Sequence, residues 1–143
     1  MAYPEPAQLL PHTGRSVLLD EIVADSGDNI VAAATITAAH PFFVAGHGVP
    51  AWVGIELMAQ AIATHSGLIG QDTQRAPRRG MLLGTRRYRS HAPWFAEGAR
   101  LHVHAEVTFG QEGSGMAACA CRIDSDGQTL AEATIIIVEE QAA

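Results

Sequence analysis

The residues best suited to chemistry in this chain are one acid set into an apolar helix and one histidine on the loop ahead of it. The segment from Pro50 to Leu68 is nearly all apolar, and its single acid is Glu56. A carboxyl group in such surroundings is costly to bury and costly to leave unpaired. We expect desolvation to raise its pKa, so that Glu56 stays protonated near neutral pH and donates a proton. The alternative is a structural carboxyl bonded to the backbone or to a partner subunit.

The histidine expected to work with this acid is His47, which lies between two glycines just before the helix. An imidazole and a desolvated carboxyl near one helix end can form an acid/base pair. Two other histidines flank the same region in sequence and are the alternative bases: His12 and His40.

The amino end of the helix is expected to present free backbone amides. Pro50 suits the first helical position because it has no N–H to lose there. No Ser, Thr, Asp or Asn precedes it as a cap, so Gly48 and Val49 leave amides that could hold a carbonyl oxygen acquiring negative charge. Glycine capping, with water on the remaining groups, is the alternative. One turn after Glu56, Gln60 continues a thin polar stripe and is expected to contact substrate.

The basic residues are unevenly placed, because six of the nine arginines fall between residues 75 and 89 and the chain has no lysine. Guanidinium groups bind phosphate through two parallel hydrogen bonds. We therefore expect Arg86 and Arg87 to face a phosphate or an acidic partner protein; a solvated loop and strand face is the alternative. The formal net charge of −6 at pH 7 argues against a general nucleic-acid binder.

The remaining histidines are expected to be bystanders. His102 and His104 lie on one face of a predicted strand and could ligate a metal. Solvent-facing histidines are ordinary on strands, however, and we expect no metal site. No context singles out His65 or His91.

Length and composition indicate a single domain over residues 1–143 with its own hydrophobic core. Polar residues interrupt the longest apolar stretch, so no membrane span is expected, and no secretory leader is visible at the start. Cys119 and Cys121 suit small buried hydrophobes better than a disulfide. A cytoplasmic location is the resulting expectation.

Alternation and turn residues predict about six antiparallel strands around one long helix. The predicted strands are Val17–Val23, Asn29–Thr37, Met81–Arg89, Arg100–Phe109, Met116–Ile123 and Thr129–Val138. In the fourth of these, every second residue from Leu101 to Phe109 is apolar, which predicts one buried face. A helix that is apolar on all sides must be enclosed. The pattern therefore predicts an α+β domain whose sheet curls around the helix.

Four segments in order resemble the landmarks of FabZ-type 3-hydroxyacyl-ACP dehydratases, and more closely their ApeP-like branch, which is associated with aryl polyene assembly. They are LLPHTGRSVLLDEI, PFFVAGHG, VPAWVGIELMAQAIATHSGL and RRGMLLGTRRYR. The resemblance implies a hotdog fold, in which an antiparallel sheet wraps one long helix. It also implies a dimer, with an identical chain or another hotdog protein, that builds its sites at the subunit interface.

The resemblance further implies a mechanism. A loop histidine removes the α-proton of a 3-hydroxyacyl thioester, a helix carboxyl from the partner protonates the departing hydroxyl, and a trans-2-enoyl thioester forms. Glu56 matches the carboxyl through IELMAQ, and His47 matches the histidine of the GH segment. The substrate is carried on the phosphopantetheine of acyl carrier protein, a partner that the arginine cluster would face, and no other cofactor is expected.

Two other functions compete with dehydration. A hotdog thioesterase also uses a helix carboxylate, to activate water or to attack the thioester. The other is a non-catalytic hotdog subunit that stabilises an active homologue. This alternative is suggested by the loop before the helix, which is shorter here than in the family.

Overall fold

The structure, a computed structural model, describes residues 3–10, 14–72, 80–110 and 116–139. Two helices are present, a short α1 (Pro6–Leu9) and the long α2 (Gly54–Asp72), together with two 3₁₀ turns, Gly14–Ser16 and Ala51–Val53. The strands are β1 (Glu21–Asp25), β2 (Asn29–Thr35), β3 (Val49–Pro50), β4 (Gly80–Ser90), β5 (Trp94–Phe95), β6 (Arg100–Gly110), β7 (Met116–Ser125) and β8 (Gln128–Glu139).

Six of the strands form one antiparallel sheet in the order β1-β2-β6-β7-β8-β4, and the helix α2 packs against its inner face. The inner face is apolar because every second residue of the central strands points inward, as Leu101, Val103 and Ala105 do on β6. From the helix side, Leu57 and Met58 are fully buried against them. The predicted α+β architecture, with a six-stranded antiparallel sheet around one long helix, is confirmed.

The hairpin between β7 and β8 turns where the sequence predicts. Asp126 and Gly127 have positive φ angles of 50° and 76°, and the flanking Ser125 and Gln128 are paired. A two-residue Asp-Gly loop with both φ angles positive matches the twist of the strands that it joins.

The first strand begins later than the sequence predicts, at Glu21 instead of Val17. The segment before it is held by the helix and not by a neighbouring strand, since the Leu18 amide donates to the Gln60 side-chain oxygen at 2.9 Å. Strand pairing takes over at Asp20, whose amide donates to the Ala33 carbonyl. A side chain from a distant helix is a partner that a local pattern cannot reveal.

One alternation prediction is wrong at its end. Phe109 is predicted to face the core with Leu101, but it is 63% exposed. The register of β6 against β7 shifts between Val107 and Phe109, so the strand carries an irregularity there that turns Phe109 to the outer face beside Ala118. The two cysteines, by contrast, are buried and are not joined in a disulfide, as predicted.

Across the part of the chain that the structure describes, no helix combines the length and apolarity needed to cross a membrane.

Candidate functional site

The entrance to α2 differs from the predicted one. Pro50 is the last residue of β3, a 3₁₀ turn follows it, and the α-helix begins at Gly54. The Gly48 amide donates to the Val44 carbonyl at 3.0 Å, and Val49 pairs with Phe95 across the β3–β5 ladder. The expectation that the Gly48 amide is free is therefore wrong, because a tight turn closed by the chain itself uses it.

Gly54 has a packing reason to be a glycine. A Cβ atom there would overlap the hydroxyl of Tyr88, which reaches in from β4 and donates a hydrogen bond to the Ala51 carbonyl. Burial raises the pKa of Tyr88 to about 12, so the hydroxyl remains a donor over the ordinary pH range. The Tyr88 hydrogen bond thereby links β4 to the 3₁₀ turn that precedes α2.

Glu56 lies in the first turn of α2, two residues after Gly54, and is half-buried. Its Oε1 atom accepts a hydrogen bond from the Gln60 side-chain amide at 3.0 Å. Residues four apart on a helix share a face, so the helix itself supplies this contact. The structure brings Glu56 and Gln60 together as the sequence spacing implies.

Gln60 is 1% exposed, and its amide group makes three hydrogen bonds. Its oxygen accepts from the Leu18 amide, while its nitrogen donates to the Ser16 carbonyl at 2.7 Å and to Glu56. Both N–H groups of Gln60 are therefore engaged within the chain. Gln60 is expected from the sequence to contact substrate, and the structure gives its amide two backbone partners and one carboxyl partner within the chain.

His47 is exposed on the turn before β3, and its ring stacks on Trp94 with centroids 4.6 Å apart and an interplanar angle of 22°. Trp94 belongs to β5 and pairs with Pro50. The stacking holds the imidazole beside the entrance of α2, at the surface.

His40 is half-buried, and its ring orientation can be assigned from one contact. Its Nδ1 atom accepts a hydrogen bond from the Phe42 amide at 3.1 Å, so a neutral ring in this arrangement carries its proton on Nε2. Among the described residues, the buried Nε2 has no hydrogen-bond partner. Burial lowers the pKa of His40, and the nearby Asp20 charge opposes this in part. In this conformation His40 is a donor, and a poor candidate for the base.

Two of the expected residues cannot be located. His12 lies outside the described residues, as does the side chain of Arg86, although its backbone is part of β4. Arg87 is exposed and has a positive φ of 56°. It lies where the pairing of β4 with β8 shifts register, so the backbone bends there and Tyr88 is directed to the helix.

Sequence reasoning missed several residues that make tertiary contacts on or near α2. Tyr88 gives no local signal, because its partner is a backbone carbonyl 37 residues away. His65 has no signal either, yet it is buried, bonded to the Gly27 carbonyl and 3.2 Å from the Asp25 carboxylate. Exposed aromatic residues also lie near the helix entrance, where Phe42 meets Trp52 edge to face at 5.3 Å.

Comparisons with known proteins give matches that cover nearly the whole chain. A family model described as ApeP-like (ApeP dehydratase) matches residues 4–143. A chain of the dehydratase heterocomplex ApeI:P from Xenorhabdus doucetiae superposes with a TM-score of 0.90 at 27% identity, over 97% of this chain and 93% of that one.

More distant matches share the fold. They include a hypothetical thioesterase with coenzyme A from Streptococcus pneumoniae (TM-score 0.66, 12% identity, 85% of each chain). The PaaI protein of the E. coli phenylacetic acid degradation operon is another (TM-score 0.61, 16% identity, 82% of this chain and 80% of that one). The predicted hotdog fold is confirmed.

Proposed function

We propose that this chain, which belongs to the ApeP-like dehydratase family, removes water from 3-hydroxyacyl thioesters held on acyl carrier protein and releases trans-2-enoyl thioesters. The observation that carries the proposal is Glu56, a half-buried acid that the next turn of α2 holds through Gln60. Such an acid can protonate a departing hydroxyl group, which is the general-acid step of dehydration.

Glu56 would act as the general acid, with the Gln60 side-chain amide donating a hydrogen bond to its Oε1 atom. Protonation of the β-hydroxyl breaks the C–O bond and releases water, while the α-proton leaves to the base. The double bond forms between the α- and β-carbons of the acyl chain, so atoms and charge balance without any further reactant.

His47 is the base that we favour. It is exposed on a turn, so an acyl chain can reach it, whereas His40 has its Nδ1 occupied and its proton on Nε2. In a hotdog dimer the two groups would come from different subunits, and the surface position of His47 suits such an arrangement. Gly48 and Val49 lie beside it and would line the thioester end of the site.

Arg87 would contact the carrier. It is exposed on β4, and a guanidinium group can pair with the phosphate of phosphopantetheine or with acidic side chains of the carrier protein. The neighbouring Arg86 is proposed for the same role from the sequence alone.

Mass spectrometry of the acyl carrier protein tests the proposal. The purified chain is incubated with a 3-hydroxyacyl carrier, and loss of one water is followed. Glu56→Gln should lower the rate by roughly 10²–10⁴-fold, as removal of a general acid does. Glu106→Gln, on an exposed position of β6, is the matched control and should keep full activity. Released free acid would indicate a thioesterase instead, and intact substrate with the wild-type chain would contradict the proposal for the chain on its own.

A second candidate is a role inside a hotdog heterocomplex. One structure with high similarity is a dehydratase heterocomplex, and the Gly48 amide that an oxyanion site would use is engaged within the chain. In this function the chain would support the site of a homologous partner. If the mixture with that partner is active and remains so when Glu56→Gln is introduced only here, the chain's role is structural; loss of activity assigns the acid to this chain.

A further inference from the structure

We infer that the outer face of the sheet, at the end where β6 stops and β7 begins, is a contact surface for a second copy of this chain. The surface, called the outer patch below, consists of Phe109, Met116, Ala118, Thr134 and Ile136. It lies on the side of the sheet away from α2, so the contact would not cover the helix. A contact of this kind does not depend on the proposed reaction.

Two large apolar side chains of the outer patch are exposed. Phe109 is 63% exposed and Met116 is 46% exposed. An open cavity of about 280 Å³ lies beside them, bordered also by Ala118, Thr134 and Ile136. Residues 111–115 and 140–143, which follow β6 and β8 directly in the sequence, include no large apolar residue that could bury the patch. Large apolar side chains gathered around one open cavity indicate a surface that another molecule covers.

The strand register arranges the outer patch in rows across the sheet. One row runs from Phe109 on β6 through Ala118 on β7 and Ile136 on β8 to Gly84 on β4. Residues that pair directly across antiparallel strands share a face of the sheet. This row therefore has a large side chain at one end and no side chain at the other.

A two-fold axis that runs along the strands, between β7 and β8, makes the outer patch complementary to itself. It sets β6 of each copy over β4 of the other, so Phe109 meets Gly84 of the second copy, and Ala118 meets Ile136. Each large side chain then meets a small residue, as a self-complementary contact requires. An axis across the strands through the same row would set Phe109 against Phe109 and Ala118 against Ala118, which leaves a gap.

A row of charges farther along the strands favours the same axis. Arg122 on β7 pairs in register with Glu132 on β8, and both side chains are 52% exposed. The axis sets Arg122 of each copy over Glu132 of the other, so opposite charges meet twice. At the ends of this row His104 opposes Arg89, and the Asp124 carboxylate, 3.1 Å from the His104 ring, offsets the Arg89 charge. Complementary charges of this kind fix the orientation of two partners more than they add affinity.

The outer patch is smaller than the surface that a permanent dimer buries. A standard interface covers about 800 Å² on each partner, whereas only two large side chains are exposed on this patch. We therefore expect a weak association that is visible in concentrated samples.

Sedimentation velocity measures this association. Wild-type protein is compared from ~1 µM to ~1 mM, the range of weak affinities, and its mean mass should rise at least about twofold, the step from one unit to two. Phe109→Ser removes two large side chains from every contact and should move the midpoint to at least about tenfold higher concentration. Met116→Lys is the second variant, should Phe109→Ser fail to fold. Val23→Ser, at a 43% exposed position of β1, is the matched control and should leave the midpoint unchanged.

A charge exchange tests the axis. Arg122→Glu should weaken the association, and adding Glu132→Arg in the same chain should restore it, because the axis pairs these two positions between copies. A wild-type mass that stays constant over the whole range overturns the inference, as does a midpoint that neither Phe109→Ser nor Met116→Lys moves. A rise in mass that requires a second hotdog protein would assign the patch to that protein and also overturn it. Double exchange without restoration overturns the two-fold axis. None of these measurements uses turnover, so they stand apart from the test of dehydration.

Discussion

The substitution Gly54→Ala should destabilise the fold at the entrance of α2. An added Cβ would overlap the Tyr88 hydroxyl and would also lie 3.1 Å from Ile123 Cδ1 and 3.2 Å from Phe95 Cζ. Two of these three neighbours are core side chains with no exposed surface, so they have little room to move. The hydroxyl must move instead, and its hydrogen bond to the Ala51 carbonyl is then lost.

The magnitude follows from three contributions. Loss of a neutral hydrogen bond costs about 1 kcal/mol, and overpacking of a filled site costs about 1–3 kcal/mol. The higher helix propensity of alanine returns at most about 1 kcal/mol, and less at the first helical position. The expected net loss in the free energy of unfolding is about 1–4 kcal/mol.

Urea unfolding of four proteins measures this effect: the wild type, Gly54→Ala, Tyr88→Phe and the double variant. Tyr88→Phe removes the atom that collides, so Gly54→Ala should cost about 1 kcal/mol less in that background. A Gly54→Ala variant as stable as the wild type, or costs that simply add, would refute the argument that the Tyr88 hydroxyl enforces the glycine.

Two further predictions concern the sheet. Arg87→Gly should leave the free energy of unfolding unchanged or raise it by up to about 1 kcal/mol, because glycine tolerates the positive φ of this position. Arg89→Gly on the same strand is the control and should lower the free energy of unfolding by about 1 kcal/mol. Equal losses in urea unfolding would contradict the strain at Arg87. Burial raises the pKa of Asp124, but hydrogen bonds from Arg122 and Thr129 and the Arg122 charge outweigh it, so the pKa lies below its usual value. The stabilisation from ionised Asp124 is present above about pH 4 and is lost as the pH falls through the lowered pKa. Asp124→Asn should therefore lower the free energy of unfolding by up to about 1 kcal/mol at neutral pH and by progressively less in acid. A cost that stays constant across that pH range would exclude the ionic contribution.

The fold was largely predictable because its signals are local. The mostly apolar helix, the alternation of β6 and the Asp-Gly turn before β8 each reflect a rule that needs only neighbouring residues. The bounds of β4, β6, β7 and β8 differ from the predicted ones by at most two residues, whereas the short β5 was not predicted. The exceptions, such as the late start of β1 and the outward Phe109, arise where a tertiary hydrogen bond or a shift in register overrides the local pattern.

The site was predictable only in part. The position of Glu56 and its contact with Gln60 follow from helical spacing. The use of the Gly48 amide by Val44 does not, because it depends on how tightly the preceding turn closes. The roles proposed for Glu56 and His47 in catalysis remain predictions, since they concern a substrate and a second subunit.

The polar contacts of α2 also decide how the helix sits on the sheet. The hydrophobic effect is non-directional, so apolar burial by itself constrains the rotation and the axial position of a helix less sharply than hydrogen bonds do. Hydrogen bonds are directional, and such anchors lie at Ala51 in the turn before α2 and at Gln60 and His65 on the helix itself. Sliding by a single turn would break all of them, so one axial setting is selected. The acid of this helix therefore faces the same way in every folded copy.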